Sequence, residues 1–123
     1  MTKRSRHTYD ETIALLKERM VAAGNTIFDS IDQAAAAESV GLQLRPTTLI
    51  VFGDPKGGTA LMDSFPLVAL ELPLKALVWE ESGAVCVASV PMSEIAQRYG
   101  VTGMDERVAA MDAALERLTD TIV

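Results

Sequence analysis

Six apolar residues near the end of the chain, Met104, Val108, Met111, Leu115, Leu118 and Ile122, recur at spacings of 4, 3, 4, 3 and 4. That rhythm returns to one side of an α-helix at every turn, so the segment is predicted to be a helix with a continuous apolar stripe. Such a stripe must be covered, either by a sheet of the same domain or by a second helix in a helix–helix dimer. With 123 residues the chain has the size of one domain, so residues 1–123 are expected to form a single unit that covers the stripe itself. Thr102 and Asp105 ahead of it resemble a capping box, with Asp in the place of the longer Glu.

Earlier segments supply the sheet. Lys3 to His7 reads as a short opening strand, and Tyr9, Ile13, Leu16 and Met20 mark one face of a helix from Asp10 to Ala23, stopped at Gly24-Asn25. Thr26 to Asp32 reads as a strand with imperfect alternation, and the Ala-rich Gln33 to Val40 as a short helix ending at Gly41. Thr47 to Phe52 is the clearest buried strand. It stops at Gly53-Asp54-Pro55, and Thr59 to Ser64 suits one or two helical turns. Leu67 to Leu72 reads as extended up to Pro73. Leu74 to Trp79 and Ala84 to Val90, joined by Glu80-Glu81-Ser82-Gly83, read as a hairpin. Ser93 is placed to cap a short helix from Glu94 to Tyr99. Strands in succession without long helices between them favour an α+β fold, an antiparallel sheet with helices on one face.

Charge and composition narrow the function classes. Eleven Lys and Arg against seventeen Asp and Glu leave a net charge of −6, which repels nucleic-acid backbones, and the basic cluster Lys3, Arg4, Arg6 reads as a solvated terminus. Cys86 is the single Cys and sits in apolar sequence, and His7 is the single His, so a disulfide, a zinc site and a Cys–His pair are all disfavoured. No leader is recognised, and no apolar run reaches the ~18 residues that cross a bilayer. The expectation is a cytoplasmic protein with no membrane partner, no metal and no cofactor.

The most suggestive chemistry lies in Phe52-Gly53-Asp54-Pro55-Lys56-Gly57-Gly58-Thr59, a buried strand running through a glycine-rich turn toward a helix. Backbone N–H groups of such a turn can cradle an anion, helped by Lys56. Gly53 and Gly58 have P-loop spacing, but Thr59 and Ala60 stand where Lys and Ser or Thr should follow, so the nucleotide reading fails. A tight turn that needs glycine for backbone geometry is the plainer explanation. Lys75 emerges from apolar sequence, either as a desolvated functional amine or as an outward-pointing member of an alternating strand.

These blocks carry a family resemblance. Gly41-Leu42-Gln43-Leu44-Arg45-Pro46, the Phe52–Thr59 segment, Leu61-Met62 and Leu70-Glu71-Leu72-Pro73-Leu74-Lys75-Ala76-Leu77-Val78-Trp79-Glu80 resemble the bacterial family catalogued as domain of unknown function number 302, across nearly the whole chain. The resemblance implies a β-α-β(4)-α domain of TATA-binding-protein shape, helices on one side of the sheet, and a homodimer. Fold likeness does not transfer DNA binding, which the acidic balance also opposes. Many relatives place a His directly after the position of Asp32, where this chain has Gln33, and one branch carries Cys at the positions of Gly53 and Leu74. Histidine or thiol chemistry of those relatives therefore does not carry over, although Gln33 still offers a donor and an acceptor.

The function expected from the sequence is a non-enzymatic module holding a small anionic ligand, with Gln33, Gly53, Asp54, Lys56, Gly57, Gly58, Thr59 and Lys75 as candidate contacts. Two alternatives stay open: an enzyme of unknown class using Lys75 or Asp54 for proton transfer, and a structural or partner-binding module that uses the terminal stripe or a sheet edge.

Overall fold

The computed structural model describes residues 1–123. In chain order the elements are β1 (Thr2–Arg4), α1 (Tyr9–Ala22), β2 (Thr26–Asp32), α2 (Gln33–Glu38), β3 (Thr47–Gly53), α3 (Pro55–Ser64), a 3-10 helix (Pro66–Leu70), β4 (Leu74–Glu81), β5 (Ala84–Ala88), α4 (Met92–Arg98) and α5 (Asp105–Asp120). The strands form one sheet in the order β1-β5-β4-β3-β2, antiparallel at every pairing. Around the small helices, the order is the β-α-β(4)-α pattern and the α+β class expected from the sequence.

Alternation on the strands sends one set of side chains into the core. Ile50 and Phe52 of β3, Leu74, Ala76 and Val78 of β4, and Val85 and Val87 of β5 are buried. They meet Leu16 and Met20 of α1, Leu61 of α3, and Val108, Leu115 and Leu118 of α5. The terminal apolar stripe thus packs on the domain's own sheet. Lys3 fastens the first strand to the last helix: its ammonium reaches Glu116 and Asp120 at 2.7 Å each and Thr119 Oγ1 at 2.8 Å. Burial works to lower the Lys3 pKa, but the hydrogen bonds and charges of Asp120 and Glu116 outweigh it and raise it.

Several boundaries move for identifiable reasons. β1 starts earlier and stops at Arg4: the Ser5 N–H still donates to the Val85 carbonyl at 2.8 Å, but the next amide, Arg6, donates to the Ile122 carbonyl at the end of the chain, and the Ser5 hydroxyl lies 2.7 Å from Thr12 Oγ1. The uneven alternation of β2 is a bulge between Ile27 and Asp29, which leaves Phe28 without a partner across the ladder. Leu67 to Leu72 is not extended. Pro66 starts a 3-10 turn there, and its three-residue period buries Val68 while Leu67 and Leu70 stay in solvent. Helix α3 begins at Pro55 rather than Thr59, with Asp54 as N-cap and Pro in the first turn. Ser93 does not cap α4. Pro91 holds that position, and the Ser93 N–H donates to the Asp112 carboxylate. The Thr102–Asp105 capping box does not form either, since the helix starts after Met104 with no side-chain cap. Gly24 and Gly83 take the left-handed φ values of 88° and 79° that end α1 and turn the β4–β5 hairpin.

Candidate functional site

The glycine-rich segment lies inside one wall of an open groove. Because α3 begins at Pro55, Gly57 and Gly58 are helical residues of its first turn. Neither has a positive φ, and neither does Gly53. A Cβ at Gly57 would meet nothing within 4 Å, and one at Gly58 would touch Leu72 Cδ1 and Met62 Cε at 3.7 Å. The expectation that backbone geometry demands these glycines is therefore corrected: what they do is thin the wall.

The groove has a volume of about 1200 Å³. Phe52 and Leu74 at the ends of β3 and β4 lie beneath it. Gly57, Gly58 and Met62 of α3 with Leu72 form one side, and Ala110 and Ala114 of α5 form the other. Asp54, Asp105 and Glu106 bring negative charge to the lining, while Arg107 and Arg117 bring positive charge. Neither arginine has a carboxylate within ion-pair distance. Each is a free guanidinium, able to take a carboxylate or phosphate in a two-point contact.

Of the residues singled out in the sequence, the structure gathers Gly53, Asp54, Gly57 and Gly58 in this groove. Asp54 is already occupied. Its carboxylate accepts from the Lys56 N–H at 3.0 Å, and its carbonyl accepts from Gly57 and Gly58 at 2.9 and 3.2 Å. The amides nominated to cradle an anion thus turn onto an acidic cap. The Thr59 hydroxyl donates back to the Pro55 carbonyl, and the Lys56 side chain is exposed outside the lining. Gln33 is an exposed residue opening α2. Lys75 pairs across from Val51 on the sheet face turned away from the core, the outward orientation that alternation implies, and its ammonium lies 3.4 Å from the Glu71 carbonyl.

Sequence reasoning passed over Arg107, Ala110, Ala114 and Arg117. A signal exists, because they recur at spacings of 3, 4 and 3 beside the apolar stripe of α5. Two arginines framing two alanines on one helical track present charge at the ends and little bulk between them.

Next to Leu72 the loop is pinned by a polar cluster. Glu71 Oε1 accepts from the Tyr99 hydroxyl at 2.8 Å and from Arg98 at 3.2 Å. The Tyr99 hydrogen bond, then the Arg98 charge, hold the Glu71 carboxyl below its ordinary pKa, and the same hydrogen bond pushes the Tyr99 phenol up. No grouping of three His, Cys, Asp or Glu side chains suits a metal ion, and no helix is long and apolar enough to cross a membrane.

Comparison with known proteins places the fold. A crystal structure of an uncharacterized conserved DUF302 protein from Bacillus stearothermophilus is similar with a TM-score of 0.92, covering 100% of this chain and 97% of that one at 18% identity. Among curated proteins, the fluoride-specific ion channel FluC 1 of Brucella suis biovar 1 is 38% identical over 110 residues, 89% of this chain and 43% of that protein. Its namesake in Brucella abortus biovar 1 is also 38% identical over 110 residues, 89% of this chain and 40% of that protein. The chain thus spans about two-fifths of the length of these relatives. Residues 1–122 match the family described as domain of unknown function DUF302, and with the same strand and helix plan along its whole length the chain belongs to that family.

Proposed function

We propose that this domain binds a small amphipathic anion in the groove between α3 and α5. The observation that carries the reading is the groove itself, a concave, half-apolar volume of about 1200 Å³ flanked by two arginines without ion-pair partners. The ligand's apolar part lies against Met62, Leu72, Ala110 and Ala114, and its acidic group takes Arg107 or Arg117. Lys56 and Lys75, the cations favoured by the sequence, lie outside the lining. The homodimer and the cytoplasmic setting implied by the resemblance and the sequence remain part of this proposal.

Native mass spectrometry of gently purified protein, set against the denatured mass, tests it. A reproducible extra mass that disappears in Ala110→Trp, weakens in Arg117→Ala and survives Lys56→Ala supports the groove. A wild-type species with no adduct, or one equally retained by Ala110→Trp, refutes it.

The curated relatives favour a second reading. Proteins called fluoride-specific ion channels contain a stretch similar to this domain within a chain more than twice the matched length. No helix here crosses a membrane, so we infer that the domain serves as an accessory ligand-binding module of such a membrane protein, fused or separate. Co-purification of the tagged domain with a fluoride channel from its own host supports this. Failure to retain one under conditions that keep the channel intact counts against it.

A further inference from the structure

We infer that Glu71 is the positioning residue of the groove: by holding the end of α4 it fixes how far the wall that carries Leu72 stands from the wall formed by α5, and so decides how wide a ligand can enter. The inference rests on the groove reading above and deepens it, since it concerns the girth of the ligand rather than its charge. Residues 66–73 connect α3 to β4, and Leu72 and Pro73 at their end line the groove. The backbone hydrogen bonds of this segment are local, from the Val68 N–H to the Phe65 carbonyl at 3.0 Å and from the Glu71 N–H to the Val68 carbonyl at 2.9 Å. Buried Val68 and half-buried Leu72 anchor it by apolar contact, which has no direction. The hydrogen bonds that tie it to a distant part of the chain are both accepted by Glu71 Oε1, from the Tyr99 hydroxyl at 2.8 Å and from Arg98 at 3.2 Å.

Through Tyr99 that tie reaches the opposite wall. Tyr99 ends α4, packs against the core, and stands four residues before Gly103, where the lining resumes and runs through Met104 and Asp105 into α5. The two helices hold together as a pair, because the Ser93 N–H of α4 donates to the Asp112 carboxylate of α5 at 3.2 Å and Met92 and Ile95 share the core with Val108 and Leu115. A shift of Glu71 away from Tyr99 therefore carries Leu72 away from the α4–α5 pair and widens the groove. Of the two bonds, the phenol's does the positioning. Arg98 has 51% of its side chain in solvent, and an ion pair that exposed holds little. The Tyr99 ring is packed against the core and its hydroxyl donates to a charged acceptor, which makes that bond short and directional. The same bond is the first cause of the lowered Glu71 pKa, so the carboxyl is ionised at neutral pH. Lys75, 3.4 Å from the Glu71 carbonyl, is only four residues along the chain and adds no tie to α5.

Isothermal titration calorimetry with two sulfonates of unequal width, decanesulfonate and anilinonaphthalene sulfonate, tests the inference. Both carry the same anionic head at neutral pH, so the ratio of their Kd values reports width and not charge. In Tyr99→Phe the ratio should move several-fold toward the broad anilinonaphthalene sulfonate, and Glu71→Ala, the second variant should Tyr99→Phe not fold, should do the same. Glu71→Gln, which keeps an acceptor for the phenol, and Arg98→Ala should stay near the wild-type ratio. A ratio unchanged in Tyr99→Phe and Glu71→Ala, even with both affinities lowered together, overturns the inference, for the contact would then only stabilise the fold. Wild-type protein that binds neither probe, or binding of both that survives Ala110→Trp, removes the groove reading and this inference with it.

Discussion

Replacing Gly57 by Ala separates two explanations for the glycines that line the groove. Gly57 is the third residue of α3, its φ is not positive, and an added Cβ meets no atom within 4 Å. Glycine in a helix interior costs about 1 kcal/mol relative to Ala, through the greater freedom of the unfolded chain, and somewhat less in a first turn. The variant should therefore gain about 0.5–1 kcal/mol. For a chain of this length, with an unfolding entropy of about 2.1 cal/mol/K per residue, that raises Tm by roughly 2–4 °C. Gly58→Ala should behave alike, because its Cβ would touch Leu72 and Met62 at an ordinary 3.7 Å. Differential scanning calorimetry at neutral pH gives Tm and unfolding enthalpy together, and urea titration gives the free energy independently. A fall in Tm for Gly57→Ala would refute the reasoning, for it would mean that this backbone does need glycine. A rise would show that the chain forgoes stability at the groove wall, as functional surfaces commonly do.

Two further outcomes follow from the polar clusters. Lys3→Met removes a cation held by Glu116 and Asp120, and should cost about 1 kcal/mol, because both carboxylates are more than half exposed. The Lys3 pKa is raised, so its contribution is complete below the unfolded value near 10.5 and is lost as pH climbs through the folded value; wild type should lose its advantage over Lys3→Met only in strongly alkaline urea titrations. Glu71 has a lowered pKa, so its contribution is present above the ordinary carboxylate value of 4.5 and disappears as pH falls through the folded value. Glu71→Gln should flatten that acidic limb in thermal melts taken between neutral pH and pH ~3, and an unchanged limb would show that the Tyr99 and Arg98 contacts do not hold in solution.

Much of the fold was legible because it follows from local periodicity. The stripe from Met104 to Ile122 specified a helix, β2 and β3 were bounded almost to the residue, and Gly24 and Gly83 ended their elements through a conformation that glycine adopts at no steric cost. Errors fell where two local signals compete. Leu67, Val68 and Leu70 fit an extended pattern, but Pro66 opens a 3-10 turn whose period buries only Val68. Asp54-Pro55 is both a turn sequence and a helix start, and the structure uses it as the start.

The candidate site divides along the same line. By itself the sequence determined that strand β3 must stop at Gly53-Asp54, that the amides after it need a partner, and that acidic residues outnumber basic ones. It could not show that Asp54 already satisfies those amides, since cap geometry depends on the backbone around it. Nor could it bring Gly57 and Gly58 opposite Ala110 and Ala114, or set Lys75 on the face away from the groove. Those relations join segments about 50 residues apart in the chain, and they arise only when α3 and α5 pack on one side of the same sheet. Spacing along a chain reports which residues share a face of one element, whereas which faces meet is decided by burying every apolar stripe at once.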